Sequence, residues 1–117
     1  EDFAQRVTDA GRVSAAALTA AYDEASDQRR AVEAMFGPDL DLILTPSALG
    51  EAPPGVDPVG AWAMNAFWTL LHVPCLGIPA GTGGAGMPVG LQLIAPRYGE
   101  TRMLAAAAAI APLLDLS

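Results

Sequence analysis

The side chains here with the clearest capacity for chemistry are one histidine, one cysteine and a pair of aspartates at alternate positions. A general base needs a nucleophile within reach, and a metal needs further ligands. His72 has neither close by in sequence and stands just before Pro74, so it reads as a structural residue at a helix end. Cys75 opens an apolar run and reads as a buried, inert thiol. Asp39 and Asp41 could share a metal or a proton, but alternate residues entering a strand more simply face solvent. The serines are Ser14, Ser26, Ser47 and Ser117, and none lies in a G-x-S-x-G turn that would expose a nucleophile. Gly81-Thr82-Gly83-Gly84-Ala85-Gly86 matches G-x-G-x-x-G letter for letter. A dinucleotide site needs that loop to open a helix. Here Met87-Pro88-Val89 leads into a strand pattern, so the loop reads as a flexible strand connection.

Composition narrows the function classes. A chain of 117 residues is about one domain. Much of its apolar fraction of 52% is alanine, and only 6% of the chain is aromatic, so any core is modest for the length. The net charge of −7 argues against a nucleic-acid partner and against an anionic membrane surface. The apolar stretch near Trp68 is interrupted by Thr69, His72 and Pro74 and is too short to span a bilayer. No basic segment followed by an apolar run opens the chain, and a single cysteine allows no internal disulfide, which together suit a cytoplasmic location. The chain starts at Glu1 rather than Met, so we expect it to be processed or cut from something longer.

The elements that must position these residues follow from periodicity. A short helix is expected over residues 2–11. A long one follows, with Ser14 as N-cap, Val13 and Leu18 as a hydrophobic staple, and Leu18, Tyr22, Ala25, Val32 and Phe36 as its stripe, ended by Gly37-Pro38. Leu40 to Leu44 reads as a strand with neighbours on both sides. Residues 47–58, rich in Pro and Gly, read as an ordered loop. Asp57-Pro58 should start a helix running to about Leu71. That helix is apolar nearly all round, through Val59, Trp62, Met64, Phe67, Trp68 and Leu70, and should be buried. Asn65, Thr69 and His72 give it one polar stripe, satisfied either by backbone or by forming a cleft wall. Cys75–Ile78 and Val89–Ile94 should pair as antiparallel strands. A last helix from Glu100 carries Met103, Leu104, Ala107, Ile110 and Ala111 on one side. The fold class is α/β.

From about Ser14 onward, this order of features resembles the C-terminal region of amidase signature enzymes. The resemblance rests on Asp41-Leu42-Ile43-Leu44-Thr45-Pro46, Ala52-Pro53, the Trp68-to-Pro74 helix end, Ile78-Pro79-Ala80-Gly81 and Gly86-Met87-Pro88-Val89-Gly90-Leu91-Gln92. It implies short strands of a mixed sheet flanked by helices. It also implies that residues 1–117 are the C-terminal fragment of a single amidase domain whose N-terminal catalytic part lies elsewhere. The activity implied is serine hydrolysis of carbon–nitrogen amide bonds through a Ser–cis-Ser–Lys triad, with no cofactor and no metal.

No member of that triad maps onto these residues. The six basic residues are Arg6, Arg12, Arg29, Arg30, Arg97 and Arg102, and there is no lysine. Catalytic residues are therefore expected to be absent. The resemblance places Thr45, Pro46 and Ser47 at a strand end facing a small-molecule amide, and the polar stripe adds Thr69. The expected partners are the missing N-terminal part or a second copy of the chain. Two readings stand beside this one: a non-enzymatic α/β module that completes a partner's sheet, and a small enzyme built on Asp39, Asp41 or His72.

Overall fold

The computed structural model describes residues 3–55 and 63–114. Helix α1 spans Phe3–Ala10 and α2 spans Ala15–Glu33; strand β1 is Ile43–Pro46 and α3 is Ala63–Leu71. Strands β2, Cys75–Thr82, and β3, Pro88–Ile94, precede α4, Glu100–Ile110, and a 3-10 turn at Ala111–Leu113. The architecture is α/β, with a sheet of order β1-β3-β2 and both pairings antiparallel.

The β2–β3 hairpin forms as its sequence predicts, with Cys75 opposite Ile94 and Leu76 opposite Leu93. Its strands run further than expected, to Thr82 and from Pro88, because an irregularity between Pro79 and Gly81 absorbs the register shift. Gly81 has φ +147° there. The turn closes with Gly86 N–H donating to the Gly83 carbonyl at 3.0 Å, and Gly86 has φ +83°.

The first strand departs from expectation. It covers Ile43–Pro46 rather than Leu40–Leu44, and Leu40 instead forms an isolated bridge with Gly37. Pro38-Asp39 makes a tight turn between those two residues, and that turn uses the backbone groups a longer strand would need. Among the described residues β1 is also an edge strand with one neighbour, β3, and Leu44 is 51% exposed. The neighbours its apolar character called for on both sides are reduced to one.

Side-chain alternation splits the sheet into two faces. On one, Leu93, Ala95, Met103 and Ala107 form a buried cluster against α4, with Leu42, Leu76, Ile78 and Ile110 packed on it. Leu104 and Ala111, expected on that same side of α4, are exposed, so the inward face is narrower than the pattern suggested. On the other sheet face lie Gln92 and Ile94, both buried. Each fully buried Leu or Ile contributes about 1.5–3 kcal/mol.

Helix α2 starts as predicted, since Ser14 Oγ accepts from Ala17 N–H at 3.1 Å. Val13 and Leu18 are 54% and 51% exposed, so the staple buries little. On its stripe Ala25 and Val32 are buried, while Leu18 and Tyr22 are exposed. The helix ends at Glu33, short of Phe36. Arg29 Nε donates to the Leu70 carbonyl at 2.8 Å, satisfying an acceptor at the C-terminus of α3. The expected start of α3 at Asp57-Pro58, with Val59 and Trp62, lies outside the described residues. Its described part is not buried all round: Leu71 is 1% exposed, but Phe67 and Leu70 are about half exposed. The radius of gyration is 17.4 Å, against about 13 Å for a compact domain near this size. The chain is a thin plate, 17 Å along its shortest axis, and it leaves apolar side chains uncovered.

Candidate functional site

The polar side chains that converge do so on the sheet face opposite α4. Thr45 of β1 is the direct cross-strand partner of Gln92 of β3. On the other side of Gln92 the partner is Gly77 of β2, where an added Cβ would meet nothing within 4 Å. Beyond β1, Ser47 N–H donates to the Gly90 carbonyl at 2.9 Å, which prolongs the pairing by a residue. Ser47 Oγ lies where a Cβ on Gly90 would sit, 2.6 Å from that position. Glycine at position 90 is what lets the serine cross over β3. Thr45, Ser47, Gly90 and Gln92 thus share one patch.

Two atoms of that patch lack partners. Thr45 Oγ1 and Gln92 Nε2 are buried and make no hydrogen bond. Buried polar groups are nearly always paired, and an orphan is costly. A hydroxyl and an amide N–H2 side by side can both donate to one acceptor, such as a carbonyl or carboxylate oxygen. Replacing Thr45 by Val keeps the shape and removes one orphan. We expect it to stabilise the protein by about 1–3 kcal/mol. Urea unfolding checks this, and a loss of stability would show that the hydroxyl is paired in solution.

Of the four residues expected to meet substrate, the structure brings Thr45 and Ser47 together. Pro46, between them, is on the opposite face by alternation and is exposed. Thr69 stands on α3, exposed, and its Oγ1 donates to the Asn65 carbonyl at 2.9 Å. Backbone satisfaction therefore explains that part of the polar stripe. Gln92 and Gly90 were not singled out as site residues from sequence. The signal was present: a glutamine inside the apolar run Val89-Gly90-Leu91-Gln92-Leu93-Ile94, at the same parity as a glycine, marks a polar spot on one strand face.

The other candidates are placed less favourably. His72 is exposed at the end of α3 with φ +58°, and its N–H donates to the Thr69 carbonyl at 3.2 Å. It closes a helix, as expected. Cys75 is exposed rather than buried, because β2 is an edge strand. Its Sγ lies 3.7 Å from the Val73 carbonyl, and partial burial of the thiol pushes its pKa above the ordinary value. The thiol is therefore protonated at neutral pH and a poor nucleophile. Asp41 pairs with Arg102 at 2.7 Å rather than with Asp39. That pair lines a cleft of about 530 Å3 with Glu33, Phe36, Leu40 and Pro96. Among the described residues, no cluster of three His, Cys, Asp or Glu could hold a metal ion.

The comparison with known proteins is decisive for the family. Residues 3–104 match the family named Amidase. The chain belongs to the amidase family. It is 33% identical over 100 residues to a subunit of the glutamyl-tRNA(Gln) amidotransferase of Halobacterium salinarum, covering 76% of this chain and 23% of that protein. It is 42% identical over 73 residues to the corresponding amidotransferase subunit of Neisseria meningitidis serogroup C, covering 57% of this chain and 15% of that one. A third, from Synechococcus, is 33% identical over 102 residues, 79% of this chain and 21% of the relative. This amidase-family chain thus spans less than a quarter of the length of the relatives it matches. No helix among its described residues is long and apolar enough to cross a membrane.

Proposed function

We propose that this chain is the C-terminal portion of a single amidase domain, in an amidase-signature serine hydrolase that cleaves carbon–nitrogen amide bonds. The Ser–Ser–Lys triad would lie in residues outside this chain. The observation that carries the reading is a family match over residues 3–104 in a chain with no lysine at all. Arginine cannot replace the lysine that starts the proton relay, because its guanidinium stays protonated. This portion would then supply part of the substrate wall, through the sheet face that carries Thr45, Ser47 and Gln92.

The substrate is a small-molecule amide, and the complete protein works in the cytoplasm. The relatives' names speak of an amidotransferase and of a subunit, which supports carbon–nitrogen chemistry and a partner. Those names also mention a tRNA. With a net charge of −7 this chain is a poor surface for RNA, so such a contact would be made elsewhere.

Enlarging Ser47 tests the assignment. Ser47→Trp in the complete enzyme should change relative kcat/KM across a panel of amides by about tenfold or more, as blocking a pocket does. Ser26→Trp serves as control, since Ser26 lies on α2 with its Oγ donating to the Tyr22 carbonyl at 2.8 Å. Equal effects of the two substitutions would remove the assignment.

The second reading, a non-enzymatic module that completes a partner's sheet, is favoured by one observation. Among the described residues, both outer strands, β1 and β2, are open edges.

A further inference from the structure

The loop that follows Ser47 has no regular structure, yet it is held at a single point by a side chain. Glu51 lies four residues beyond Ser47, and its carboxylate reaches the tip of the β2–β3 hairpin. Its Oε1 and Oε2 accept from the backbone N–H of Ala85 at 2.9 and 3.0 Å. Hydrogen bonds to an ionised acceptor are about twice as strong as neutral ones.

The turn is shaped for this carboxylate. A Cβ on Gly83 would lie 1.8 Å from Glu51 Oε1 and 2.3 Å from its Cδ, so the carboxylate occupies the volume a side chain would need. Gly83 N–H already donates to the Met87 carbonyl at 2.9 Å and Gly86 N–H to the Gly83 carbonyl, while Ala85 N–H is the one given to Glu51. Gly86, with φ +83°, sets the turn that aims it. The hairpin's glycines, which the sequence alone presents as mere flexibility, are therefore partly explained by what packs on them.

We propose that Glu51 is a latch: seated in the glycine turn, it holds the 47–55 loop, and with it Ser47, over the sheet face that carries Thr45 and Gln92. The loop is tied twice to the same hairpin. Ser47 is pinned at Gly90, and Glu51 at Ala85. Between them Gly50 N–H, donating to the Ala48 carbonyl at 3.0 Å, adds a little order. Release of Glu51 leaves Ser47 held by its own backbone bond alone. Glu51 is thus a positioning residue for specificity. Its bearing on specificity rests on the proposed function; the latch itself does not.

Two substitutions far apart in sequence break the same contact. Glu51→Ala removes the carboxylate, and Gly83→Ala evicts it by overlap. Glu51→Gln keeps an acceptor oxygen and is the conservative variant. In the complete protein, amide hydrogen exchange of the 47–55 loop and of Ala85 should quicken about tenfold or more in both disruptive variants. It should quicken less in Glu51→Gln, and no further in the Glu51→Ala/Gly83→Ala double variant. KM for bulky amides should shift severalfold, with kcat for the smallest amide within about twofold. Unchanged exchange in both single variants overturns the latch, whatever the kinetics. Faster exchange supports it, and if amide specificity then stays unchanged, the failure belongs to Ser47 as a substrate contact. Gly83→Ala keeps the test open should Glu51→Ala fail to fold.

Discussion

The 117-residue chain should not turn over simple amides, whereas the complete protein should. The reason is that a chain without lysine lacks the base that the proposed triad requires. In serine hydrolases, loss of a triad member costs on the order of 10^4–10^6 in kcat. His72 sits at a helix end, the Cys75 thiol is protonated, and Asp41 is engaged by Arg102. The measurement is hydrolysis of a panel of small amides by highly purified chain, beside the complete protein. Turnover by the chain that disappears in His72→Ala would overturn the proposal and promote a small enzyme in its place. Inactivity of the complete protein towards every amide would favour the module that completes a partner's sheet.

Leu93→Ala should cost about 2–5 kcal/mol, the range for emptying a core position. Leu93 is 1% exposed and joins Ala95, Met103 and Ala107 in the buried cluster beneath α4. That cost is a large part of the roughly 5–15 kcal/mol available to an ordinary domain. This plate, with Phe67, Leu70, Leu18 and Tyr22 uncovered, should stand at the low end. Leu104→Ala is the matched control. It removes the same atoms from α4, at the position next to Met103, but Leu104 is 57% exposed. Thermal or urea unfolding of both variants decides. Similar losses would mean that α4 packs the other way round.

The hairpin, Ser14 as a cap and the α4 start at Glu100 were legible because each depends on local chemistry. A serine oxygen reaches an N–H three residues on, and a glycine turn reverses the chain, whatever surrounds them. The departures share a different cause. Leu40–Leu44, Phe67, Leu70 and Tyr22 are apolar, and pattern alone predicts that such residues are covered. Cover is supplied by other elements, and within the described residues there are too few of them. Cys75 departs for the same reason, since its exposure follows from β2 being an edge. The candidate site was legible only in part. Thr45 and Ser47 are expected from the family pattern, whereas Gln92 and Gly90 join them only across the β1–β3 register, which periodicity within one strand does not encode.

The strand order β1-β3-β2 places the last strand to be made in the centre. During synthesis the chain emerges N-terminus first. β1 leaves the ribosome long before β3, its one neighbour among the described residues, and β2 follows without pairing with it. Until Pro88–Ile94 has emerged, neither the β1–β3 nor the β2–β3 pairing can form. A ribosome stalled ahead of Pro88 would therefore carry a nascent chain in which β1 and β2 both still await β3, and strands without that partner are the kind of surface that chaperones hold.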